Sequence, residues 1–152
     1  MLVAIGSDHA GYPYKQPIID QLVRMGHQVS DFGCHSNEPT DYPVPAIQVS
    51  EAVRDRKADL GILICGTGIG MAIAANKVKG IRAGSCQSAF AATAMRTHNQ
   101  ANVLCLGSRI NTLSEVQTFV RLFMTADPDP SPRHRHRIDL IHSYEECGTW
   151  EK

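Results

Sequence analysis

No sign of charge dominates this sequence: 15 lysines and arginines balance 15 aspartates and glutamates, for a formal net charge of zero. The balance excludes a general attraction to nucleic acid or to an anionic membrane, so any anion site has to be local. Aromatic residues make up only 6% of the chain, with a single tryptophan, and offer no platform on which bases could stack. The apolar opening, residues 1–5, stops at Gly6-Ser7-Asp8 and is too short for a membrane span or a signal peptide. The five cysteines (Cys34, Cys65, Cys86, Cys105, Cys147) are odd in number and form no C-x-x-C pair. Reduced thiols in a cytoplasmic protein are therefore expected, not a disulfide framework. No repeat or low-complexity tract divides the 152 residues, so a single domain with a proper core is expected.

The chain is organised around residues 60–77. Residues 60–64 form a nearly continuous apolar run, as a parallel strand buried on both faces requires. Cys65 ends it, and Gly66-Thr67-Gly68-Ile69-Gly70 follows, three glycines in five residues, before a run of good helix formers from Met71. Strand, glycine turn and helix aim backbone N–H groups at a negative charge in the crevice beyond the strand. A thiol at the strand's end lies in the same positive field, which favours the thiolate. The alternative is a cysteine that serves only as a small buried hydrophobe. The glycine spacing meets neither the dinucleotide fingerprint nor the P-loop, so a small anion fits better than a nucleotide.

Taken in order, residues 2–5 read as a first strand, and Asp8 and His9 fall just past its end, where open α/β sheets bind ligands. Asp8 could equally cap the next helix. That helix is expected to reach about Met25 and to bury Ile18, Ile19, Leu22 and Val23, with Pro13 and Pro17 in its first turn. A second strand spans 28–32, and 33–45 is a proline-broken loop holding Tyr42 as a lid or as an aromatic anchor. A short amphipathic helix, 46–56, turns Ile47, Ala52 and Val53 to one face. Beyond the central stretch come a weak strand at 80–84 and an alanine-rich helix at 88–95. The polar hinge 96–102 precedes a fifth strand at 103–106, with Arg109 past its end. A helix begins at Thr112-Leu113-Ser114-Glu115 with Val116, Phe119, Val120 and Phe123 on its apolar face. The alternation predicts a five-stranded parallel sheet with helices on both faces, a Rossmann-like three-layer αβα domain. Residues 126–132 form a stiff linker with three prolines, expected to detach a last helix that runs to about Glu146 and docks on a second subunit.

Arg133 and Arg137 are spaced i, i+4 and can grip one tetrahedral anion from a single helix face. A solvated basic patch is the plainer reading. His134 and His136 suggest no metal, because the interleaved arginines repel a cation.

Together these stretches resemble the ribose-5-phosphate isomerase B type, which includes the galactose-6-phosphate isomerase subunits. The likeness runs through nearly the whole chain. It rests on 6–11 (Gly-Ser-Asp-His-Ala-Gly), 40–43 (Thr-Asp-Tyr-Pro), 64–70, 74–77, 80–83, His98-Asn99, 102–104 and Gly107-Ser108-Arg109 in this order. The resemblance implies interconversion of a phosphorylated aldose and its ketose through a cis-enediol, with no metal or other cofactor. It makes Cys65 the base between C1 and C2, and Thr67 with the amides of Gly66, Gly68 and Gly70 the anion hole for the enediolate. Asp8 would shuttle hydroxyl protons and His98 would open the furanose. His9, Arg133 and Arg137 would hold the phosphate with Arg109 near it, while Asn99 and Tyr42 would contact sugar hydroxyls. Sites in the family are shared between subunits, with His98, Asn99 and Arg109 facing the partner's Cys65, which implies a homodimer or a dimer of dimers. Ribose 5-phosphate is the expected substrate; a six-carbon sugar phosphate and a non-catalytic sugar-phosphate sensor are the alternatives. Pro13, Pro17, Cys34, Arg135 and the proline-rich 126–132 depart from the family pattern.

Overall fold

In the computed structural model, which describes residues 1–150, five parallel strands alternate with six helices. The order is β1 (Leu2–Ser7), α1 (Tyr12–Arg24), β2 (Gln28–Asp31), α2 (Pro43–Arg54), β3 (Leu60–Cys65) and α3 (Ile69–Ala75). There follow β4 (Ala83–Cys86), α4 (Ala89–Thr97), β5 (Val103–Gly107), α5 (Leu113–Thr125) and α6 (Pro132–Cys147). The sheet runs β2-β1-β3-β5-β4. The chain moves outward from β1 to β2, then returns to lay β3 on β1's other side. The carboxyl ends of β1 and β3 therefore flank a topological switch point, the position at which doubly wound sheets open a crevice.

The period of two along each central strand sorts its side chains between two cores. Val3, Ile5, Ile62, Ile64, Leu104 and Leu106 face one side, where they meet Ile18, Leu22, Val116, Phe119 and Phe123 from α1 and α5. Ala4, Leu63, Cys65, Val103 and Cys105 face the other, against Ala46, Val49 and Met71 from α2 and α3. Both faces are covered, which is why β3 is buried at every position. Leu63 and Phe123, fully buried, are each worth about 2 kcal/mol or more against exposure. Helix α5 starts on a capping box, with Thr112 accepting from the Glu115 N–H and Glu115 from the Thr112 N–H, worth about 1 kcal/mol.

Several local expectations give way to packing. Pro17 lies inside α1 beyond its first turn, so the bond its N–H would have made to Pro13 is missing and the helix nonetheless continues to Arg24. Val23 is 58% exposed, because the buried stripe of α1 follows Lys15, Ile18 and Leu22 instead. Helix α2 begins at Pro43, since two prolines in a first turn forfeit N–H groups that have no helical partner anyway; Ile47 faces outward. The fourth strand sits later than expected, at Ala83–Cys86, because Gly80 has φ +80° and belongs to a turn.

The linker does not detach α6. Ile138 is buried, Glu145 accepts from the Gly80 N–H at 2.9 Å, and Lys79 pairs with Glu146 at 2.9 Å. Helix α6 thus rests on its own chain while Ile141 and Tyr144 stay exposed. Among the described residues, no helix is long and apolar enough to cross a membrane.

Candidate active site

At the carboxyl end of β3 the chain turns through Gly66, Thr67 and Gly68. Gly68 has φ +77°, a left-handed conformation that an L side chain resists, and its N–H donates to Cys65 Sγ over 3.1 Å. Cys65 itself is buried. Helix α3 has only seven residues, so the positive field here comes from the turn's own amides more than from a long dipole. The turn is braced from β5: the Ser108 and Arg109 amides donate to the carbonyls of Cys65 and Gly66, each at 2.9 Å. Gly107 backs Thr67 so closely that a Cβ there would lie 2.8 Å from the Thr67 backbone.

Four more candidates gather around this turn. Asp8, buried at the end of β1, donates its N–H to the Ile64 carbonyl at 3.1 Å and accepts from the Gly11 N–H through Oδ1 at 2.9 Å. One oxygen thus holds the turn that leads into α1, while the helix itself starts at the N-cap Gly11 without a side-chain cap. His9 beside it accepts from the Thr40 N–H at Nδ1. The Tyr42 ring lies over Gly70, where a Cβ would come within 2.8 Å of it. The Arg109 side chain lies along Gly66, where a Cβ would be 3.2 Å from its Cδ. Arg109 therefore stands with the Cys65 of its own chain, a correction to the expected grouping with His98 and Asn99.

His98, Asn99, Arg133 and Arg137 lie at the other end of the sheet. His98 closes α4 and Asn99 follows it, its carbonyl held by Arg82 at 3.1 Å just ahead of β4. Asn102 then leads into β5, whose far end pairs Gly107 with Cys65. The length of a strand thus separates the two clusters, about 3.3 Å per residue. Arg133 and Arg137 sit on α6 and are exposed. Arg135 turns away from them to Asp139 at 3.3 Å.

Three residues have roles in this architecture that the sequence did not assign to them. Lys15, buried on α1, donates to Asp31, the Gly33 carbonyl and the Cys34 carbonyl (2.6 Å), and so pins the start of the loop that carries Thr40 and Tyr42. Ser108 donates through Oγ to the Ala10 carbonyl at 2.7 Å, linking the β1 and β5 ends. His134 is buried against His98. A lysine in a helix's apolar stripe was the one available signal. Burial pushes the thiols of two other sheet cysteines, Cys105 and Cys86, upward, and Cys65 adds to the effect on Cys105.

Residues 3–141 match the family model described as Ribose/Galactose Isomerase. The chain belongs to this family. Ribose-5-phosphate isomerase B of Escherichia coli is 46% identical over 124 residues, covering 82% of this chain and 83% of that protein. The ribose-5-phosphate isomerase B structure from Clostridium thermocellum superposes with a TM-score of 0.94 at 44% identity, covering 98% of this chain and 100% of that one. A Mycoplasma genitalium ribose-5-phosphate isomerase B with bound ribulose 5-phosphate superposes at 0.91 with 42% identity, covering 96% and 97%. Family membership accounts for the three-layer fold and for aldose–ketose isomerase activity.

Proposed function

We propose that this protein interconverts D-ribose 5-phosphate and D-ribulose 5-phosphate through a cis-enediol, with Cys65 as the base. One observation carries the reading: Cys65 ends a buried strand at the switch point, its sulfur accepts from the Gly68 amide, and the glycine-rich turn that follows it directly is flanked by the Tyr42 ring over Gly70 and the Arg109 side chain along Gly66. Removing a proton alpha to a carbonyl needs a base at the carbon and donors at the new oxyanion, and this turn supplies both. Cys65 takes the proton from C2 of the open aldose and returns it to C1, while Thr67 and the amides of Gly66, Gly68 and Gly70 hold the enediolate oxygen. Asp8 carries hydroxyl protons and Tyr42 covers the sugar.

The remaining roles need a second copy. His98 opens the furanose, Asn99 contacts a hydroxyl, and Arg133 with Arg137 takes the phosphate, joined from the Cys65 side by His9 and Arg109. A two-fold pairing that sets one copy's α4–α6 end against the other's switch point brings both clusters together twice. The exposed Ile141 and Tyr144 on α6 support such a pairing. The test is conversion of ribose 5-phosphate by the purified chain, followed by sedimentation. Turnover by a dimer or tetramer supports the reading; a folded chain that is inert with ribose 5-phosphate overturns it.

A further inference from the structure

The segment joining α5 to α6 carries Pro128 and Pro130 and is fastened to the end of α4. The Asp129 N–H donates to the Thr97 carbonyl at 2.9 Å, and Asp129 Oδ1 accepts from the Ser131 N–H at 2.8 Å. This path delivers His134 flat onto His98, with ring centroids 4.5 Å apart and planes inclined by 7°. His134 is only 4% exposed. Its Nε2 faces Asp129 Oδ2 at 3.5 Å and Arg133 at 3.4 Å, and its buried Nδ1 has no partner.

As filling, this imidazole is a poor choice, because an apolar ring would occupy the space without stranding a polar atom. Burial first, then His98, Arg133 and Arg137, holds His134 below the usual histidine pKa, with Asp129 pulling the other way. The ring against His98 is therefore flat and neutral near pH 7.

We propose that His134 is a positioning residue for furanose opening: its stack fixes the plane of the His98 ring, and the linker through Asp129 fixes the stack on α4. The proposal rests on the reading of His98 as the ring-opening group. In that step the anomeric hydroxyl gives its proton to Asp8, the electron pair of the C1–O4 bond passes to O4 as the bond breaks, and His98 protonates O4. The products are a free C1 aldehyde and a 4-hydroxyl, with no net gain or loss of protons. A general acid works only when its N–H is aligned on the departing oxygen, so an imidazole free to swivel loses much of its effect.

Two assays separate ring opening from enolisation. Conversion of ribose 5-phosphate, a furanose in water, needs both. Exchange of the C1 proton of ribulose 5-phosphate for solvent deuterium needs only enolisation, because a ketopentose phosphorylated on O5 cannot close a furanose. His134→Ala is expected to slow conversion about tenfold or more while exchange stays within about twofold of wild type. His134→Phe, which keeps a flat ring, is expected to restore conversion. Equal losses in both assays, an unaffected conversion, or no rescue by the folded phenylalanine variant overturns the proposal. His98→Ala separates the levels. A selective loss there with a non-selective one in His134→Ala defeats the positioning role alone. Unimpaired conversion by His98→Ala defeats the ring-opening reading and this proposal with it.

Discussion

The backbone N–H of Thr40 donates to Nδ1 of His9 over 3.2 Å. Nδ1 is thereby an acceptor, so the neutral imidazole carries its proton on Nε2 and presents a donor, the polarity a phosphate oxygen requires. The loop that supplies Thr40 is held in turn by Lys15. His9 is thus oriented from an element remote from it in sequence.

Lys15→Met tests that chain of support. The variant leaves Asp31 and two carbonyls without their cation, for a loss of about 3 kcal/mol of stability in chemical denaturation. In steady-state kinetics with ribose 5-phosphate, KM rises more than kcat falls, because the loop positions His9 and Tyr42 and not the base. An unchanged KM in a folded variant uncouples the loop from the site.

Gly107→Ala probes the brace behind the turn. The added Cβ meets backbone of Thr67 at 2.8 Å, which cannot swing aside as a side chain would. The Cys65 turn moves, and kcat falls about a hundredfold. Gly26→Ala is the control: nothing lies within 4 Å, so the variant bears only the cost of a positive φ, +83°. Its kcat stays at the wild-type value while stability falls by about 1 kcal/mol.

Separation of the two clusters predicts complementation between inactive chains. Cys65→Ala and His98→Ala, each expected to be inert in conversion of ribose 5-phosphate, are unfolded together and refolded as a mixture. Random pairing restores one intact site in every mixed dimer, or roughly a quarter of the wild-type rate. A mixture as inert as its components contradicts a shared site.

Stability should also respond to His134 below neutrality. Its pKa is lower folded than unfolded, so the unfolded chain binds the additional proton as pH drops past the ordinary histidine value. The favourable contribution is complete above that value and is lost as pH falls through the folded pKa. Melting temperature followed from pH 7.5 down to about 5 declines more steeply for wild type than for His134→Phe. Parallel curves remove His134 from the acid response.

The sheet was legible because the central strands are apolar at nearly every position, the pattern of a parallel sheet covered by helices on both faces. The glycine turn after Cys65 was legible for the same kind of reason, since three closely spaced glycines specify a backbone conformation directly. The linker was not. Its prolines announce stiffness, yet whether a stiff segment projects or clasps depends on contacts distant in sequence, such as the Asp129 amide on the Thr97 carbonyl and Glu145 on the Gly80 N–H. Arg109 was misgrouped because its sequence position places it only at a strand end. Which neighbour its side chain lies along is decided by the Ser108 and Arg109 amides clamping the Cys65 turn. Val23 failed because a helix's buried stripe is set by what packs on it, and here Lys15 takes a place in that stripe.

The role proposed for Cys65 is to move the proton between C1 and C2. Its most direct test is the rate of ribose 5-phosphate conversion by Cys65→Ala beside wild type, with thermal melting to show that both are folded. A loss of about a thousandfold is expected, with melting little changed. A folded Cys65→Ala variant that converts ribose 5-phosphate near the wild-type rate would contradict it and move the base to another residue at the β1/β3 switch point.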